Sequence, residues 1–420
     1  MRFALALVVV TPLSLLAAGC AREDPHVLTI SGSMLGREGE VLRSQLDRFG
    51  AAHADLAVEL RSTPDAADLR HQLYVQWLNA RVSEPDVLQL DVVWTAEFAA
   101  AGWIAPMDRF GPPVSEFFPA TVDAHRWNGF IYALPWFVDA GMLYWRTDLV
   151  SEPPRDLDEL ARLARSARDA GRASFGFVWQ GARYEGLVVN FLEHLGAFGG
   201  RILDDDGRVR IDEPAAVAAL TFMRDAIHRD GIVPESVLTW QEEQTRFAFQ
   251  NGQAVFMRNW PYANALLAQA GGSAVAGRFG VAPMPAGPGG PSTSALGGSA
   301  LAINAHSDQP AEAYALIDFL LQPAQMLERA RVVGQFPPRP ALYDDPALSD
   351  ALGISASLAL HIVEAARPRP VTPVYSQLSS ILQVALHRVL TRQEEPGPAL
   401  QEAAGQIRAL LARVKLGPRS

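Results

Sequence analysis

A chain of 420 residues, 49% of them hydrophobic and 20% charged, has the make-up of a globular protein and is too long for one ordinary core. A net charge of −10 with no basic run argues against nucleic acid as a partner. The single cysteine, Cys20, excludes an intramolecular disulfide, so stability rests on packing.

The N-terminus carries one positive charge, Arg2, then an apolar run over residues 3–18 and the small residues Ala17, Ala18 and Gly19 just before Cys20. A charged start, an apolar stretch and small residues at a cut point make a secretory signal. With a thiol at the cut and Ala17 where leucine is usual, the segment resembles a bacterial lipobox. That resemblance implies a signal peptide of residues 1–19, lipidation of Cys20 and a tether over 20–26. A plain signal peptide and an uncleaved anchor are the alternatives. The run is short of the roughly 20 residues a spanning helix needs, and Pro12 interrupts it. The remainder is then an extracytoplasmic soluble body with no second segment apolar enough to cross a membrane.

In chain order, a strand is expected over 26–31 and a helix over 40–53, with Val41, Leu42, Leu46 and Phe49 at helical spacing. A second strand (56–60), a second helix (68–80, with Leu69, Leu73, Val75, Trp77 and Leu78 apolar) and a third strand (86–91) follow. Strands alternating with helices imply βαβ units and a mainly parallel sheet. The pattern returns as a strand at 174–178, helices at 184–195 and 214–230, and strands within 249–256 and from 280. Residues 282–298 are rich in Gly and Pro and are the best linker candidate. A strand at 300–303 and helices at 310–322 and 323–333 come next, and the last 75 residues read as helical around a proline-rich stretch, 367–373. The expected fold class is α/β, as two lobes with the chain crossing between them more than once.

Familiar catalytic signatures are missing. There is no P-loop, no G-x-G-x-x-G and no H-E-x-x-H, and no two of the nine histidines stand three or four apart, so neither metal nor cofactor is expected. Gly297-Gly298-Ser299-Ala300-Leu301 departs from a nucleophile elbow at its last position. Asp204-Asp205-Asp206-Gly207 lacks the alternating ligands of a calcium loop and reads as a charged turn. Eight of the nine tryptophans fall between residues 94 and 260; in a cleft such rings suit carbohydrate faces, with core packing as the alternative.

Three stretches resemble the family-1 solute-binding proteins of ABC sugar importers: residues 86–103 (DVLQLDVVWTAEFAAAGW), 132–149 (YALPWFVDAGMLYWRTDL) and 251–262 (NGQAVFMRNWPY). Residues 179–193 (WQGARYEGLVVNFLE) and 367–378 (RPRPVTPVYSQL) are similar to the trehalose/maltose-binding branch. The resemblance implies a two-lobed periplasmic-binding fold of type II with the ligand cleft between lobes. The first lobe would comprise 27–138 plus 299–345 and the second 139–298 plus 346–420. It also implies a lipid-anchored, monomeric receptor on the extracytoplasmic face of the membrane, capturing a disaccharide by hinge closure. Its partners would be the transmembrane permease subunits and their cytoplasmic ATPase.

Asp91 follows a buried strand and emerges at its C-terminal end, where open α/β sheets bind ligands; an N-cap on a helix starting near Thr95 is the alternative. Asp139 sits among apolar neighbours, where a carboxylate needs a partner such as a ligand hydroxyl. Both match ligand positions of the branch, as does Trp260, whose ring would stack on a pyranose. Further positions implied by the resemblance are Glu38, Arg70 (or a solvated helix face), Phe137, Glu242 (or a surface helix), Gly297 and Gly298 (or a linker end). Arg369 would fork onto sugar hydroxyls, with a salt bridge in the C-terminal region as the alternative. Charged partners contribute about 1.5–3 kcal/mol per hydrogen bond, so a few such contacts support micromolar binding. Two other classes stay open: a glycosidase using Glu38, Asp91, Asp139 and Glu242 as paired carboxylates, and a surface lipoprotein with no transport role.

Overall fold

The computed structural model describes residues 26–53 and 55–415; the leader, Cys20 and tether residues 20–25 lie outside the described residues. Among the described residues, the strands are β1 (His26–Ser33), β2 (Leu56–Thr63), β3 (Val87–Asp91), β4 (Arg126–Trp127), β5 (Phe130–Ile131), β6 (Ala133–Ala140), β7 (Met142–Arg146), β8 (Phe175–Val178), β9 (Ala254–Asn259), β10 (Phe279–Ala282), β11 (Ser294–Ile303) and β12 (Ala366–Arg367). They form a six-stranded sheet, a four-stranded sheet and the small ribbon β4–β5.

The first sheet begins as the βαβ units foreseen. β1 pairs in parallel with β2 and β3, and its Leu28 and Ile30 are fully buried. The helix Glu38–Ala52 between β1 and β2 buries Val41, Leu42, Leu46 and Phe49, the stripe its spacing announces. β11 completes this sheet from far along the chain. It runs antiparallel to β3 over residues 299–303 and to β6 over 296–302, while Ser294 and Ala295 pair with β12. The second sheet has the order β10-β7-β9-β8, with β7 antiparallel to both neighbours. The helix Glu185–Ala197 is buried on nearly every face, packed against Pro214–His228, β11 and Tyr375–Leu390.

Several expectations shift. The second helix spans Ala67–Asn79, but its buried face is Arg70, Tyr74 and Leu78, and Leu69 is exposed. Backbone carbonyls take up the Arg70 guanidinium, which lets it turn inward. Phe249 closes the helix Glu242–Gln250 rather than opening a strand, because the Asn251–Gly252 turn intervenes before β9. The linker ends earlier than expected: β11 starts at Ser294 and contains Gly297 and Gly298. A helix at Leu157–Asp169, capped by the Asp156 side chain on the Glu159 N–H (2.7 Å), was not expected from the sequence. Trp94, Trp136 and Trp179 are core, and the other six tryptophans are half-buried and packed against it.

The chain passes between the sheets at Gly141, where β6 ends and β7 begins, and returns before Ser294. After β12 it runs into Tyr375–Leu390, which packs on the second sheet's helices Glu185–Ala197 and Pro214–His228 and on the final helix Pro396–Lys415. Both sheets thus present edges and helix starts to a common space.

Candidate functional site

Strand C-termini and the helices that follow them face one edge of a parallel sheet, so β3 ends and the helix Glu38–Ala52 starts at the same place. Asp91, last in β3, and Glu38, first in that helix, both line a cavity of about 750 Å³, open solvent included, walled by elements of both sheets. Asp91 Oδ1 accepts from the Val93 N–H (3.2 Å) and from Arg369 Nη2 (2.8 Å). The helix Thr95–Ala100 takes Trp94 as its cap residue, so Asp91 is not its N-cap. Glu38 is buried and accepts from Gln335 Nε2 at 2.7 Å. Burial pushes its carboxyl up from the usual range, with Arg329 and Arg70 opposing. Arg70 is buried as well: Nη1 donates to the carbonyls of Pro64 (3.0 Å) and Asp65 (3.4 Å), and the guanidinium lies 5.5 Å from the Trp94 ring. It is not a solvated helix face.

The floor is made by β6 and β11, where Gly297 pairs with Asp139 and Gly298 with Val138. Gly298 has φ +112°, and a Cβ there would sit 2.2 Å from the Phe137 carbonyl oxygen. Only glycine allows this approach, and both glycines are strand residues rather than a linker end. Phe137 is buried beside Asp139. Asp139 Oδ1 is buried without a protein partner. Burial, reinforced by the charges of Glu38 and Asp91, pushes the Asp139 carboxyl up to about 8.

The opposite wall comes from the second sheet. Trp260 follows β9 directly; its N–H donates to Asn259 Oδ1 (2.8 Å) and its carbonyl accepts from the Tyr144 hydroxyl (2.8 Å). The indole reaches across to β11, where a Cβ on Gly297 would meet its Cζ3 at 3.0 Å. Glu242 opens the helix Glu242–Gln250, and its carbonyl accepts from Asn259 Nδ2 (3.3 Å), joining that helix start to the end of β9. Burial raises the Glu242 carboxyl too. The Tyr184 hydroxyl is buried against the Glu242 carboxyl, its polar neighbour.

Arg369 closes one end of the cavity from the strand-following segment Pro368-Arg369-Pro370. Its fork is already engaged: Nη2 meets Asp91 and Nη1 meets Glu185 Oε1 at 2.7 Å. The expected fork onto ligand hydroxyls is therefore a fork onto two carboxylates, because Glu185 lies within reach. Glu185 also accepts from the Tyr375 hydroxyl (2.6 Å) and from Ser379 Oγ. Although burial works the other way, the negative charges around Arg369 hold its proton more firmly than usual, and burial raises the Glu185 carboxyl.

All ten sequence candidates line this one cavity. The sequence reading missed Tyr184 and Glu185, which open the helix Glu185–Ala197, and the more local Asp65, Gln89 and Tyr262. A glutamate leading a helix buried on nearly all faces was the available signal for Glu185. Chemically the site offers carboxyls, of which Asp139 keeps its proton up to about 8 and so can both donate and accept, with a flat indole beside them. A polyhydroxylated, uncharged molecule matches that inventory. Among the described residues, no group of three or more His, Cys, Asp or Glu side chains is placed to hold a metal ion.

Residues 36–327 match the model of the bacterial extracellular solute-binding protein family. A probable ABC transporter-binding protein of Deinococcus radiodurans is 36% identical over 417 residues, 96% of this chain and 97% of that one. Maltose-bound MalE3 of T. maritima superposes with a TM-score of 0.87 and 43% identity, covering 91% of this chain and 99% of its own. An ABC transporter solute-binding protein of Thermotoga lettingae bound with α-D-tagatose, 24% identical, shares the fold with a TM-score of 0.84 over 92% of this chain and 100% of its own.

Proposed function

The chain belongs to the bacterial extracellular solute-binding protein family, and from that premise we propose that it captures a disaccharide of the maltose or trehalose kind and delivers it to an ABC permease. The observation that carries this reading is the unsatisfied buried carboxyl oxygen Asp139 Oδ1 in one cavity with the Trp260 ring. Buried polar groups seek hydrogen-bond partners, and sugar hydroxyls supply them while a pyranose face covers the indole. The similarity to a maltose-bound protein at 43% identity supports the same ligand class.

In this reading Glu38, Arg70, Phe137, Asp139, Glu242, Trp260, Gly297 and Gly298 form the binding set, Asp91 and Arg369 brace one end of it through their ion pair, and no bond is made or broken. Two lobes, one on each sheet, close on the sugar about the crossovers at Gly141 and before Ser294, which shifts the expected lobe boundaries because β6 runs to Ala140, β11 starts at Ser294 and β12 joins the first sheet. Cys20, lipidated after removal of residues 1–19, holds a monomeric receptor at the membrane, where it meets transmembrane permease subunits driven by a cytoplasmic ATPase. More than one acyl chain is needed for stable anchoring.

Calorimetric titration with maltose, trehalose, sucrose and glucose tests the proposal. Saturable binding of an α-linked disaccharide is expected. Conversion of the sugar to products would replace the receptor by a glycosidase, and no uptake of any sugar would leave a non-transport surface protein.

A further inference from the structure

Behind the cavity wall lies a buried ion pair. Arg258, on β9, is fully buried; its Nε and Nη2 donate to Glu193 Oε2 and Oε1 at 2.8 and 2.5 Å, and Nη1 donates to Gln180 Oε1 at 3.2 Å. Glu193, on the helix Glu185–Ala197, is equally buried. Replacing such a pair by apolar residues is often neutral or stabilising, so its presence is weak support for a purely structural role.

What the pair touches is more specific. On one side the Arg258 guanidinium lies 3.9 Å from the centroid of the Trp260 ring. On the other, Glu193 Oε1 accepts from the Ala295 N–H (3.2 Å), and a Cβ on Gly141 would fall 2.0 Å from Glu193 Oε1 and 2.6 Å from Arg258 Nη2. Ser294 Oγ donates to the Gly141 carbonyl (2.6 Å), and β12 pairs with Ser294 and Ala295. The pair therefore spans from the indole to the place where the chain passes between the two sheets.

We propose that Arg258 is a positioning residue for ligand binding: anchored by Glu193 against Gly141 and Ala295, it fixes the Trp260 indole relative to the crossover segments. The ring then meets its ligand already oriented, at little ordering cost. Arginine suits the task because its planar guanidinium can lie against a ring while both ends of its fork are engaged; lysine can pair with Glu193 but offers no plane. The inference rests on the sugar-binding reading for the identity of the ligand and on geometry alone for the link to Trp260.

The test is a double-mutant cycle on the full-length protein, with Arg258→Lys and Trp260→Phe separately and together, titrated with maltose. Arg258→Lys is expected to weaken binding roughly tenfold when Trp260 is present and less than about twofold in the Trp260→Phe background. Equal losses in both backgrounds, or no loss in either, overturn the proposal. If Arg258→Lys does not fold, Arg258→Met with Glu193→Leu replaces it in the same cycle. Wild-type protein that takes up no sugar refutes the sugar-binding reading instead. The positioning role is then read from the unliganded protein, as the emission that Trp260→Phe removes. Arg258→Lys must shift that component; an unshifted component overturns the role.

Discussion

The two ends of the cavity are built on opposite principles. At the Arg369 end the carboxylates are answered: Asp91 and Glu185 each hold one arm of the guanidinium, Tyr375 and Ser379 complete Glu185, and of the Arg369 nitrogens Nε alone is buried without a partner. At the Trp260 end, Asp139 Oδ1 is buried and answered by nothing in the protein. A satisfied network is a strut, and an unsatisfied one is a demand on whatever enters. Matching the sequence to a family's ligand positions cannot tell these apart, because Asp91 and Asp139 both match ligand-binding carboxylates of the branch.

Substitutions at the two ends should separate stability from recognition. The largest effect is expected for Arg369→Met, which strands Asp91 and Glu185 together. Loss of one partner from a buried ion pair costs about 3–5 kcal/mol, seen as a lower denaturation midpoint of the unliganded protein. A midpoint like that of wild type would mean that this end is not a strut. Trp260→Ala comes next. Affinity should fall at least about tenfold, roughly 1.4 kcal/mol, in calorimetric titration, with the unliganded melting temperature little changed. A matching fall in melting temperature would make the indole a core residue.

Asp139→Asn sharpens the contrast through pH. The native carboxyl keeps its proton up to about 8, against 3.8 in an unfolded chain. Between those values the folded state holds a proton that the unfolded state has released, so stability falls as pH rises from about 4 to about 8. Glu38, Glu185 and Glu242, also raised, act in the same direction. Thermal melts should show the variant level with wild type at pH 4 and above it at pH 9; parallel curves would refute the assignment. The smallest effect is expected for Gly297→Ala, whose methyl would sit 3.0 Å from the indole Cζ3. A displacement of a few tenths of an ångström should weaken sugar binding about two- to fivefold and leave the melt unchanged, since a contact loss of this size is under about 1 kcal/mol.

How far the chain discloses this arrangement depends on the range of the interaction. The βαβ start was legible because periodicity is local: Val41, Leu42, Leu46 and Phe49 announce their helix, and β3 delivers Asp91 to its end. Arg70 was half legible. Its place on a helix was plain, but the carbonyls of Pro64 and Asp65 that draw it inward depend on a turn whose shape no pattern specifies. Glu185 was missed because Tyr375 and Ser379, which complete it, lie about 190 residues away. Arg258 was visible as a lone charge in the apolar run AVFMRN, yet nothing nearby discloses that Glu193 is its partner.

β11 has a consequence for how the molecule comes into being. It supplies a central position of the first sheet, between β3 and β6, from residues 294–303. Until that stretch has emerged, β3 and β6 each keep an open edge, so the N-terminal half cannot mature on its own as synthesis proceeds. Pairings that join residue 91 to residue 299 give the chain a high contact order, which slows folding. A polypeptide of this topology stays incomplete until most of its length is available, and a truncation before residue 294 should yield an aggregating species with exposed strand edges.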